Sequence, residues 1–153
     1  MNNKKFTLYK YCILASTGFI GYMIIELLFR GYTYYTMGLA GSLAFILIGL
    51  INELIPWELY IEIQMVIASL IVTLIELIFG SILLNVFNMR MWDYSDQFLN
   101  YKGYICALFS FLWLFVGLFA IVLDDYIRYW RFNEERPHYK SFFVNIYKKI
   151  FKK

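Results

Sequence analysis

The sequence predicts an all-α integral membrane protein: a four-helix bundle with a parallel two-helix repeat and a basic amphipathic helix at its C-terminus. Three observations carry this. Of 153 residues, 61% are hydrophobic and only 16% charged, with mean hydropathy +0.60. A soluble fold of this size could not cover so much apolar surface with so few charges. Several apolar stretches approach or exceed the roughly 20 residues that cross a bilayer. Finally, Ile24–Phe29 (Ile-Ile-Glu-Leu-Leu-Phe) is nearly repeated by Leu74–Phe79 (Leu-Ile-Glu-Leu-Ile-Phe). A carboxyl group inside a bilayer costs a few kcal/mol, so each glutamate should face the bundle interior or a cavity.

The first span covers about Tyr11–Phe29, behind a basic start with Lys4, Lys5 and Lys10. It is too long for a signal h-region and lacks a small-x-small cleavage site, so it reads as an uncleaved helix. Arg30–Thr36 is a short connection rich in tyrosine, which favours the headgroup level. The second span runs from about Met37 to Ile55, with Gly38, Ser42 and Gly49 on one face for close helix approach. Pro56-Trp57 marks the turn. The third span lies within Ile61–Phe87, either as one tilted helix or ending near Gly80. After the polar loop Asn88–Gly103, the fourth span covers Tyr104–Leu123. It is expected to continue into water until Pro137, with Asp124 and Arg128 paired four residues apart.

In Ser141–Lys153, Phe143, Ile146, Tyr147 and Ile150 share one helical face. Asn145, Lys148, Lys149, Lys152 and Lys153 share the other. Such a helix suits an anionic membrane surface. The chain therefore divides into a four-span domain, 1–140, and a basic tail, 141–153. The tails hold eleven of the fourteen lysines and arginines; the loops at the opposite end hold Arg30, Arg90 and Lys102. The positive-inside rule then places both termini in the cytoplasm. The first and third spans point the same way, so the likeness reads as a parallel repeat; the other reading is a chance match between two apolar hexamers.

Enzyme signatures do not stand out, and the chain reads as a non-enzyme without cofactor or metal. His138 lies alone in the polar tail. No phosphate-binding glycine loop appears, so no nucleotide is expected, and no basic platform suggests nucleic acid. Cys12 and Cys106 start helices at opposite membrane faces, too far apart to bridge. The candidate substrate or ion pathway is the set of intramembrane and interfacial polar groups: Glu26, Arg30, Glu53 and Glu76, with Trp92, Asp93, Tyr94 and Asn100 in the loop. Glu26 can pair with Arg30 one turn away. Glu76 has no base near it in sequence. If Glu26 and Glu76 share a site they cannot both ionise cheaply, which suits proton or cation handling. Alternatively each acid is bound to helix partners and fixes packing. For the loop aromatics the competing role is interfacial anchoring, and for Asp93 a local turn.

Trp92-Asp93-Tyr94-Ser95, followed by Asn100, Gly103, Ile105 and Cys106 and then by Val122-Leu123-Asp124-Asp125, resembles the putative ABC-transporter type IV family. That family of small bacterial membrane proteins is similar to the vertebrate transmembrane protein 229 group. Gly21–Glu26 with Arg30-Gly31, and Ile48–Glu53, fit the same pattern. The resemblance implies a permease-like or transport-associated subunit. A permease needs a surface for its ATPase, yet the only loop on the cytoplasmic side is about Pro56–Tyr60. Transport would thus require homo-oligomers or a partner membrane subunit. The other reading is a non-transporting assembly or regulatory scaffold.

Overall fold

The structure, a computed structural model, describes residues 3–145. Five helices follow in order: α1 (Asn3–Arg30), α2 (Tyr35–Gly49), the short α3 (Ile51–Leu54), α4 (Ile61–Phe87) and α5 (Ala107–Phe132). No strand occurs among the described residues. Four segments are long and apolar enough to cross a membrane: Lys5–Arg30, Tyr35–Leu54, Ile61–Phe87 and Ala107–Phe132. The chain is an all-α membrane protein.

Local chemistry sets the helix ends. Pro56 disfavours helical backbone at the residue before it, and Ile55 is extended (φ −116°, ψ 136°), which closes the second span. α4 and α5 both end on an asparagine in the left-handed region, Asn88 at φ 52° and Asn133 at φ 56°. Asparagine tolerates that conformation better than other non-glycine residues. Two expectations change here. α5 stops at Phe132 instead of running on to Pro137, because Asn133 turns the chain back. It also starts at Ala107, since Tyr101–Ile105 form a tight turn closed by Tyr101 N–H donating to the Ile105 carbonyl at 2.9 Å. The third span is one continuous helix to Phe87.

The bundle consists of two antiparallel hairpins, α1 with α2 and α4 with α5. α1 and α4 run in the same direction. The start of α1, the end of α5 with the segment up to Asn145, α3 and the start of α4 gather at one end of the bundle, the termini end. The 31–34 and 88–106 segments form the loop end. Between them lies a core of Leu14, Phe45, Ile48, Val72 and Ile121, among others. In lipid, where water gives helices little reason to associate, close backbone approach and van der Waals contact hold them together. The contact of α1 with α2 is closest at Gly18 and Gly41. A Cβ on Gly18 would lie 2.6 Å from the Gly41 carbonyl oxygen, and one on Gly41 would lie 2.8 Å from that of Gly18. α5 meets α4 where Gly117 faces Ala68. The small residues expected on one face of the second span divide their work. Gly38 lies against the Phe19 ring and Ser42 donates to the Ala15 carbonyl at 2.8 Å, both toward α1, whereas Gly49 makes room for Asp124 of α5.

The tail begins on α4. Glu62 accepts from Ser141 Oγ at 2.5 Å and from the Phe142 amide at 3.1 Å, and Phe142–Asn145 are helical. The rest of the amphipathic tail, with Lys148, Lys149, Lys152 and Lys153, lies outside the described residues.

Gly41→Val is expected to destabilise the protein by roughly 1–3 kcal/mol, the usual cost of overpacking. Gly21→Ala should be neutral or better, because a Cβ there meets nothing within 4 Å. Thermal unfolding in detergent checks both; equal stability of the two variants would refute the packing assignment.

Candidate functional site

Glu76 is the centre of the loop-end site. Its residue is only 4% exposed, and both carboxylate oxygens accept: Oε1 from Tyr94 Oη at 3.1 Å and Oε2 from Trp113 Nε1 at 2.9 Å. The acid therefore ties α4 to α5 and to the loop at once. Small and polar residues prepare this contact. Ser69, Thr73, Glu76 and Gly80 share one face of α4. Ser69 Oγ donates to the Ser110 carbonyl at 2.6 Å and Thr73 Oγ1 to Ser110 Oγ at 3.1 Å. Gly80 lets Trp92 and Tyr104 lie on α4, with ring atoms 3.1 and 3.0 Å from where its Cβ would be. Trp92 Nε1 donates to the Tyr104 carbonyl at 2.8 Å, which fixes the ring.

Glu26 has different company. Arg30 Nη2 lies 2.7 and 2.8 Å from its two oxygens, and Thr33 Oγ1 donates to it at 2.9 Å. Arg30 Nη1 donates to the Met91 carbonyl at 2.7 Å, which pins the loop onto α1. The expected Glu26–Arg30 pair is present. Glu26, Arg30, Trp92 and Tyr94 border one cavity of about 300 Å³, together with Tyr22 and Trp113. Glu76 stands behind two of those wall residues, close enough to interact electrostatically with Glu26. Stacked rings form the walls: Tyr94 on Phe109 at 4.4 Å and Tyr22 on Trp113 at 6.0 Å between centroids. Burial, with the Glu76 carboxylate beside it, holds the Tyr94 hydroxyl well above the ordinary phenol range, so it stays a donor.

Asp93 and Asn100 brace the loop and are not brought to the cavity. Asp93 is exposed, pairs with Arg90, and accepts from the Ser95 amide at 2.9 Å and the Ser95 hydroxyl at 2.5 Å. The Ser95 hydrogen bonds, then Arg90, hold its carboxyl down at about 2. Asn100 Nδ2 donates to the carbonyls of Ser95 and Gln97, both at 2.9 Å. Gly103, at φ +73°, leaves room for Asp93 and Ser95.

Glu53 lies at the other end, beside a second polar cluster. Arg128 pairs with Asp124, and its Nη1 is 3.5 Å from Glu53 and 3.7 Å from Glu134. Asp125 accepts from Asn52 at 2.7 Å and from Tyr139 at 2.8 Å. The Asp124–Arg128 pair was expected in water; instead Asp124 is 0% and Arg128 2% exposed. Gly49 gives Asp124 its space, and Lys10 holds Glu134 over the cluster at 2.6 Å. The two ends are separated by the apolar core, so the eight predicted residues are not brought together at one place. Sequence reasoning missed Trp113, Tyr22 and Phe109. The stripe Ser69, Thr73, Glu76 and Gly80 is the signal that marks the face of α4 turned toward α5.

A family model described as "Putative ABC-transporter type IV" matches residues 11–151 of the chain. No curated protein and no solved structure matches it.

Trp113→Phe is expected to cost roughly 1–3 kcal/mol, because it leaves Glu76 Oε2 buried without a donor. In a Glu76→Leu background the same change should cost clearly less. Thermal unfolding of the four proteins closes the cycle, and additive losses would show that the indole–carboxylate bond is not what couples α4 to α5.

Proposed function

The chain belongs to the putative ABC-transporter type IV family, and on that premise we propose that it is a transport-associated subunit of a bacterial inner membrane. Its loop-end site handles a proton or a cation. The observation that carries this reading is Glu76, a carboxylate inside the bundle that borders a cavity through Tyr94 and Trp113. Acids placed this deep in membrane helices are expensive and commonly serve substrate or proton pathways. Tyr94, Trp113 and the Glu26–Arg30 pair orient the site, and Trp92 closes its loop side. The packed middle of the bundle supports a pathway completed by a second copy or a partner subunit. The same packing favours the competing reading, an assembly or regulatory subunit that moves nothing.

In a strain lacking this chain, Glu76→Gln is expected to abolish complementation while expression and thermal stability stay near native, since the Gln carbonyl can accept from Trp113 and its amide can donate to the Tyr94 hydroxyl, but the group cannot titrate. Full complementation by Glu76→Leu at normal stability would overturn the reading.

The excess of basic residues at the termini end supports a cytoplasmic location for both termini. Reporter fusions after Lys153 and within 96–101 should report opposite sides, with the C-terminus inside. An external C-terminus would reverse the sidedness of the site.

A further inference from the structure

α1 packs chiefly on α2 and α5 chiefly on α4. This leaves a furrow between α1 and α5 that faces the surrounding membrane. The loop-end cavity is its upper part. A second cavity of about 330 Å³ continues it toward the middle of the bundle, and Tyr22, Ile25, Trp113 and Val116 border both. The lower part is apolar, lined by Gly18 and Gly21 on α1 and by Phe119 and Leu123 on α5. The upper part is aromatic and acidic. Ligand sites of this kind are mostly apolar, with a few convergent polar groups that fix orientation.

Charge decides what the upper part accepts. Among the described residues Arg30 is the only cation that borders it, and both its Nη atoms are already engaged, by Met91 and by Glu26. Glu76 makes no ion pair among the described residues. Its two oxygens instead hold one ring from each stacked pair, Tyr94 and Trp113. A positive charge among these rings would meet their electron-rich faces, with a carboxylate directly behind. An anionic head would meet the same carboxylate and find only Arg30 Nε without a partner.

We propose that the α1–α5 furrow binds an amphiphile with a positively charged ammonium head and a single alkyl chain. The head sits between the Tyr94 and Trp113 rings, and the chain runs down past Gly21. This deepens the transport reading by naming the ligand class of its site, and it rests on that reading for its biological meaning. The binding itself is tested without flux.

The probe is dodecyltrimethylammonium below its micellar concentration, titrated against the purified chain in phosphatidylcholine nanodiscs, with empty nanodiscs as blank. Tryptophan emission reports the binding. Saturable binding is expected. Tetramethylammonium, which is head only, and dodecyl maltoside, which has no charge, should each bind at least about tenfold more weakly. Gly21→Leu should weaken binding about tenfold by filling the furrow, at unchanged or higher thermal stability, since a Cβ there meets open space. Glu76→Gln should weaken it by a similar factor. Equal binding of dodecyl maltoside would overturn the head assignment. Tighter binding of dodecyl phosphate, which has the same chain with an anionic head and no ammonium, would show that a phosphate is read and overturn it too. Native affinity in Gly21→Leu would place the chain elsewhere and refute the furrow. The furrow arms stand even if Glu76→Gln fails to fold. Absent ammonium binding beside an inactive, folded Glu76→Gln protein removes this ligand class and leaves the transport reading. Native-like binding beside full complementation by Glu76→Leu does the reverse.

Discussion

The loop end of this protein depends on how one carboxylate is satisfied away from water. Glu76 cannot turn to solvent, because it is enclosed by α4, α5 and the loop, so its oxygens must be met by protein donors. Tyr94 and Trp113 meet them. Each donor then carries a ring into place, and each ring stacks on another, Phe109 and Tyr22. The register of α4 against α5, the seat of the loop and the aromatic walls of the cavity are thus consequences of a single polar contact. Gly80, Ser69 and Thr73 on the same face of α4 let the elements approach closely enough for it to form.

At the termini end the same requirement is met differently. Asp124 and Arg128 neutralise one another within one turn of α5, so the pair enters the bundle with little net charge. A buried pair of this kind contributes modest net stability, since desolvation offsets most of the attraction. Its importance lies in register. Only a residue without a side chain at Gly49 leaves room for the Asp124 carboxyl, and Asn52 and Tyr139 converge on Asp125. The second span, α5 and the segment after it are thereby locked at one height. Between the two polar layers the bundle is filled by aliphatic and aromatic side chains, and small residues bring the backbones together.

The two similar glutamate hexapeptides differ in environment although their helices run in parallel. Glu26 has a cation one turn away, and Glu76 has two neutral donors from distant segments. That difference gives the cavity its polarity: a neutralised rim beside α1 and an acid behind the rings. It also explains why the furrow between α1 and α5 is polar only at its upper end.

The number of spans, their approximate limits and the membrane class were legible in the sequence, because hydropathy and length are properties of the local chain. So was the Glu26–Arg30 pair, whose partners are four residues apart. The partners of Glu76 were not. Trp113 lies 37 residues away on another helix, and no local periodicity couples them. The burial of Asp124 and Arg128 was hidden for the same reason: a charged pair after an apolar run reads as emergence into water until a glycine on another helix makes room for it. Asp93 and Asn100, polar residues in a turn, shape the loop through near neighbours. By itself the sequence determined four helices long and apolar enough to cross a membrane, with acids among them. Which acid faces which ring, and the furrow left between α1 and α5, were decided only by the packing of helices distant in the chain.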